Sequence, residues 1–225
     1  MTRAVLLDFY GTLVEEDDAI VARLIHRLAA ASPLAPEPHA IGQFWSQQFT
    51  ALCTAAYGAA FKSQRQLEVE SLQTVLEVYQ VKLDPVALAE KLFAYWRAPQ
   101  VCADTQRFLT AASLPLCIVS NIDTMDLEGA IQHHGWRFDA LITSERCRAY
   151  KPRPEVFRAA LARVGLAPDQ VVHIGDSWRA DVHGAQQMGM DVIWINRRQR
   201  PLPESAPPPT VIVSNIAEVL AYLAG

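Results

Sequence analysis

The chain has 225 residues, 51% hydrophobic and 20% charged, enough for one sizeable core with or without a small accessory domain, which excludes disorder and collagen-like repetition. Twenty Lys and Arg against 24 Asp and Glu give a net charge of −4, so no basic excess exists to displace counterions from a nucleic-acid backbone. Nucleic acid is excluded as an expected partner.

The first apolar run, Ala4–Leu7, stops at Asp8 and a Tyr-Gly-Thr turn, as a buried strand does on meeting polar residues. It is far shorter than the ~20 residues of a membrane span, so the chain is expected to be soluble and unprocessed, with no membrane partner. Cys53, Cys102, Cys117 and Cys147 show no CxxC spacing, which points to a reducing cytoplasmic setting. From Glu15 to about Arg97 apolar residues recur every three or four positions, as in Ile20, Leu24 and Leu28 or Leu67, Leu72, Val75, Leu76 and Tyr79. This predicts a helical insertion, broken at Pro33, Pro36 and Pro38 and restarted at Asp84-Pro85.

Beyond it, strands are predicted over 114–119, 171–174 and 192–195. The first two end in Ser120-Asn121 and Gly175-Asp176-Ser177, with helical patterns over 125–134 and 180–188. Strand, polar turn and helix in succession predict a parallel sheet covered on both faces, with ligands at the carboxyl ends of its strands. A proline-rich loop over 200–209, a strand at Val211–Val213 and a helix over 217–223 complete the chain.

Four sets of polar residues fall at predicted strand ends: Asp8 with Thr12, Ser120-Asn121, Lys151 in Tyr-Lys-Pro-Arg-Pro, and Asp176 with Asp181. Taken singly, an acid after a strand is ordinarily a helix cap and a lone Lys is ordinarily solvated. Their order resembles the four motifs of the haloacid dehalogenase superfamily of hydrolases, here Asp8-Phe-Tyr-Gly-Thr-Leu13, Ser120-Asn121, Lys151-Pro and Gly175-Asp-Ser-Trp-Arg-Ala-Asp181. The resemblance covers nearly the whole chain. It implies an α/β fold: a parallel Rossmann-like core of residues 1–14 and 97–225, with an α-helical cap of residues 15–96 inserted after the first strand.

The resemblance also implies roles. Asp8 is the expected nucleophile, already ionised at neutral pH. Thr12, Ser120 and the Asn121 amide are expected to donate to a bound oxyanion, and Lys151 to place a positive charge against Asp8. Asp8, the backbone carbonyl of Tyr10, Asp176 and Asp181 are the expected Mg2+ ligands. Asp8, Asp176 and an anionic substrate around one Lys151 give like-charge pairs costing about 4 kcal/mol each at an effective dielectric of about 20. A protonated carboxylate or a divalent cation must relieve them, and the cation is the expected solution.

Phosphatases of the superfamily carry a second aspartate where Tyr10 stands, and a phenol is a poor base near neutral pH. A tyrosine there is what the dehalogenases themselves have. Those enzymes work without metal, lack an aspartate at Asp176, hold halide with a cap arginine where Ser46 falls, and have a tyrosine where Phe157 stands. Weighing the fourth motif above the first, the expectation is Mg2+-dependent hydrolysis of a small phosphate monoester by a monomer or homodimer. The alternatives are metal-free hydrolysis of a 2-halo acid and a weakly catalytic anion-binding member. Trp45, Gln47, Gln48, Tyr57, Lys62, Arg65 and Trp178 are candidate pocket-lining residues. His133-His134 reads as a helix end, His173 as a core histidine, and the run Glu15 to Asp18 as a solvated helix start.

Overall fold

All four residues of β1 (Ala4–Leu7) are buried, because this strand is central in a computed structural model that describes residues 1–204 and 206–224. Val5 and Leu7 face one apolar layer and Ala4 and Leu6 the other. Such two-sided burial suits a continuous apolar run rather than an alternating one. Four helices follow: α1 (Asp18–Ala31), α2 (Pro38–Ala55), α3 (Gln64–Val78) and α4 (Pro85–Arg97). Ser63 and Gln66 form a reciprocal cap at the start of α3, while Asp84 accepts the Val86 N–H and Pro85 opens α4. The chain returns at Val101, which pairs with Val14 beside the exit of β1.

The remaining elements are α5 (Thr105–Ala111), β2 (Leu116–Ser120), α6 (Thr124–His134), β3 (Ala140–Thr143), α7 (Ser144–Cys147), α8 (Pro154–Val164), β4 (Val171–Gly175), a π-helical turn (Trp178–His183), α9 (Gly184–Gln186), β5 (Asp191–Ile195), β6 (Val211–Val213) and α10 (Val219–Leu223). The sheet is parallel throughout, in the order β3-β2-β1-β4-β5-β6. The connections therefore diverge on either side of β1, and the carboxyl ends of β2, β1 and β4 meet where a ligand crevice opens.

Three details differ from the sequence expectation. β3 is not anticipated by the sequence reading, since three apolar residues and Thr143 between Asp139 and Ser144 carry no usable period. β2 starts two residues late because Pro115 cannot donate to the ladder, although its carbonyl accepts the Val5 N–H at 2.9 Å. The helix expected over 180–188 begins instead as the π-helical turn, with Ser177 accepting the Ala180 N–H. Of the loop expected over 200–209, Ser205 lies outside the described residues. No described helix is long and apolar enough to cross a membrane, and all four cysteines are free.

The inserted helices share an apolar layer with one face of the sheet, from Leu24, Ile41 and Trp45 through Leu72 and Trp96 to Val5 and Leu7. Polar ties fix them there as well. Asp123, just before α6, accepts the backbone N–H groups of Gln64 and Arg65 at 2.8 and 3.0 Å. The Arg65 guanidinium donates to both oxygens of buried Asp126 at 2.7 and 2.6 Å.

Candidate active site

Asp8 is the residue at which β1 runs out. Its N–H still bonds the Ile174 carbonyl at 2.9 Å, so the sheet fixes the origin of a side chain that is almost fully buried. Lys151, supplied by the segment between α7 and α8, donates through Nζ to Asp8 Oδ1 at 2.7 Å and to Asp181 Oδ1 at 2.6 Å. The other Asp8 carboxylate oxygen, Oδ2, accepts from Thr12 Oγ1 at a longer 3.3 Å. Asn121 donates through Nδ2 to the Lys151 carbonyl at 3.0 Å and accepts the Lys151 N–H on Oδ1 at 2.6 Å. This amide, expected to face a bound oxyanion, thus grips the backbone of the lysine. Ser120 is buried at the end of β2 and lines the cavity.

Asp176 follows β4 and approaches the first motif closely. Gly11 adopts φ 80°, and a Cβ there would stand 2.5 Å from Asp176 Oδ1, so only glycine permits the approach. Arg200, not singled out from the sequence, donates to the Asp176 carbonyl at 2.6 Å and reaches Oδ2 at 3.4 Å. Asp8, Asp176 and Asp181 each present an oxygen within 4.8 Å of the other two.

The charges sort themselves by burial and partner. Burial pushes the Asp8 carboxyl up to about 7, against the pull of Lys151 and with the push of Asp181. Burial, joined by the charges of Asp8 and Asp181, pushes the Asp176 carboxyl well above its ordinary value, against the pull of Arg200. Burial also opposes the charge on Asp181, but Lys151 and His173 outweigh it and hold that carboxyl down at about 2. Burial works against the Lys151 ammonium too, and Asp181 and Asp8 more than reverse this.

This donor set does not suit a divalent cation. Asp181 commits Oδ1 to Lys151 and His173 and Oδ2 to the Ser177 N–H at 3.0 Å, and the ammonium occupies the gap between Asp181 and Asp8. Asp176 in turn has a cation beside it, Arg200, whose guanidinium reaches its Oδ2 at 3.4 Å. The expected Mg2+ ligation by Asp8, Tyr10, Asp176 and Asp181 thus meets a site in which Asp181 is already engaged by Lys151, His173 and the Ser177 N–H.

A cavity of about 550 Å³ opens above these groups between the sheet and the inserted helices. Its roof is made by Ser46, Phe49, Thr50 and Cys53 of α2, with Gln64 and Trp96. None of Trp45, Gln47, Gln48, Tyr57, Lys62, Arg65 or Trp178 lines it. Trp45 is instead a core residue donating to Ser71 Oγ at 2.9 Å, and Trp178 packs edge-on to Trp194. Tyr10 lines the floor and donates its hydroxyl to the Trp96 carbonyl at 2.5 Å, and burial raises its pKa, keeping the phenol neutral. The acidic run is only partly solvated: Asp17 accepts from Trp96 Nε1 at 2.8 Å and lines the cavity. A side chamber of about 310 Å³ reaches the surface past Thr54, Arg153 and Arg179. Trp96 and the α2 roof escaped sequence reasoning because the same helical stripe serves core and pocket alike.

Comparison with known proteins gives the chain its relatives. An (S)-2-haloacid dehalogenase of Pseudomonas putida is 27% identical over 97% of this chain and 96% of its own length. A phosphoserine phosphatase of Thermus thermophilus is 33% identical, but over 53% of this chain and 51% of its own. Among solved structures, the L-2-haloacid dehalogenase of Xanthobacter autotrophicus with chloropropionic acid covalently bound superposes with a TM-score of 0.78 at 23% identity, covering 100% of this chain and 99% of that one, a likeness of fold. Full-length agreement with dehalogenases, against half-length agreement with the phosphatase, overturns the expectation of a Mg2+-dependent phosphate-monoester hydrolase, and with it the Mg2+ cofactor and the phosphorylated substrate. The model of the haloacid dehalogenase-like hydrolases matches residues 2–189, and the chain belongs to that family.

Proposed function

We propose that this hydrolase cleaves the carbon–halogen bond of a small 2-halo acid, with Asp8 as nucleophile, residues 1–14 and 97–225 as the catalytic core and 15–96 as its cap. The observation that carries the reading is the unequal treatment of the two Asp8 oxygens: Oδ1 is fixed by Lys151 while Oδ2 has only the long Thr12 contact among described side chains. Oδ2 attacks the halogen-bearing carbon; a carbon–oxygen bond forms, the carbon–halogen bond breaks, and halide departs with the electron pair. Asp8 is then an ester whose carbonyl oxygen is Oδ1. Lys151 polarises that carbonyl and stabilises the oxyanion formed when water attacks Cγ. Collapse releases a 2-hydroxy acid and a proton and restores the carboxylate.

Three observations fit this chemistry. An alkyl ester requires no acid at the leaving group, so Tyr10 suffices where a phosphatase has aspartate. Asp176, an acid in a place where dehalogenases have none, has its carboxyl pushed up by burial, which weakens its repulsion of an anionic substrate. Ser46 supplies no charge for a departing halide, and the side chamber is lined by the cations Arg153 and Arg179, the former paired with Glu155 at 2.9 Å.

The test is halide release from (S)-2-chloropropanoate, followed by ion chromatography in excess EDTA. Wild-type protein should release chloride and lactate in equal amounts at a rate that EDTA leaves unchanged, and Asp8→Asn should lower that rate by at least about 10³-fold. Absence of chloride release across a panel of 2-halo acids would refute the reading.

A further inference from the structure

His173 is a polar residue in the middle of β4, flanked by Val172 and Ile174, opposite Leu6 of β1, and fully buried. A bare imidazole in such a place costs free energy unless it is bonded. Its Nε2 stands 2.9 Å from Asp181 Oδ1, the oxygen that also accepts Lys151 Nζ at 2.6 Å, and the same Nζ donates to Asp8 Oδ1 at 2.7 Å. An ionised Asp181 only accepts, so the ring hydrogen is on Nε2. Nδ1 has no hydrogen-bond partner among the described residues, and the ring meets Phe157 edge-on with centroids 5.3 Å apart. Burial favours the neutral ring.

We propose that His173 is a positioning residue for the reaction at Asp8, fixing Asp181 Oδ1 through its Nε2–H and thereby setting the Lys151 ammonium against Asp8 Oδ1. The Ser177 N–H, 3.0 Å from Oδ2, holds the other edge of Asp181. Without the imidazole the Asp181 carboxylate pivots about that second bond, and the ammonium follows it away from the nucleophile. The inference rests on Asp8 being the nucleophile, and it acts through Lys151 without touching substrate.

The test compares His173→Phe, which keeps a ring without the donor, with His173→Gln, whose amide N–H reaches towards the same oxygen. With (S)-2-chloropropanoate, His173→Phe should lose about 10- to 100-fold in kcat, as small misplacements of reacting groups do, with little change in KM. His173→Gln should recover to within about threefold of wild type. Full activity in His173→Phe, or equal loss in the two variants, overturns the proposal. A second readout is independent of turnover: 15N NMR of the histidine ring should show the Nε2–H tautomer in wild-type protein. The buried Lys151 ammonium should give a slowly exchanging signal that weakens in His173→Phe and persists in His173→Gln. An Nδ1–H tautomer, or an ammonium signal unchanged in folded His173→Phe, also overturns it. Should His173→Phe fail to fold, the wild-type tautomer and the His173→Gln signal decide. A wild-type protein that shows this NMR pattern but releases no halide sinks the dehalogenase reading alone.

Discussion

Asp8 sits out of water beside one ammonium, and as the proposed nucleophile it gives the reaction a pH dependence of definite sign. Its carboxyl is pushed up to about 7, mainly by burial, so the attacking carboxylate is the minority form in mild acid. We expect kcat/KM for halide release to rise about tenfold per pH unit on the acid side and to level above about pH 7. Lys151 pulls that carboxyl down, so Lys151→Met should move the rise to higher pH as well as lower its plateau. A profile flat down to about pH 5 would show an unperturbed aspartate. Asp8, Lys151, Asp176 and Asp181 were legible in the sequence because each is an unusual residue type at the end of an apolar run. The direction of each hydrogen bond was not, and that direction decides the chemistry. Asp181, read as a metal ligand, turns its oxygens to Lys151, His173 and Ser177, which no spacing of letters conveys. Arg200 was unreadable for a related reason, since it comes from a proline-rich stretch with no period and reaches Asp176 only once β4 and β5 are paired.

The strands β1, β2 and β4 were visible because burial on both faces leaves uninterrupted apolar runs, whereas the short β3 offers too few residues to show any pattern. Helix α3 illustrates how an inserted element is held by both ends of its physics. Its start is capped by Ser63 and Gln66, and its apolar stripe places Leu72 and Val75 in the shared core without exposure. Leu72→Ala should destabilise the protein by about 2–5 kcal/mol, the usual cost of a cavity at a fully buried leucine, measured by urea unfolding. A loss below about 0.5 kcal/mol would show that the inserted helices do not share the sheet's core. The π-helical turn after β4 is the other element whose form matters. By widening the first turn it lets Asp181 fold back onto the N–H of Ser177 while keeping that aspartate against Lys151.

Across the whole molecule, the inserted helices and the sheet are joined by a large apolar layer, by a smaller cluster around Tyr150, and by polar contacts that include those at the N-terminus of α6. Arg65 and Asp126 form a two-pronged pair whose acidic partner is fully buried. Asp126→Leu would leave that guanidinium unmatched and should cost roughly 3 kcal/mol in unfolding free energy, with faster amide exchange in the first turn of α3. Unaltered exchange there would mean that the Arg65–Asp126 pair does not seat α3. The location of these contacts has a mechanical meaning. Asp123, which takes the N–H groups at the head of α3, lies two residues beyond Asn121, which grips Lys151. The seat of α3 and the clamp on Lys151 therefore share one short stretch of chain, residues 121–123, so the roof of the chamber and the ammonium on its floor take their positions from the same three residues.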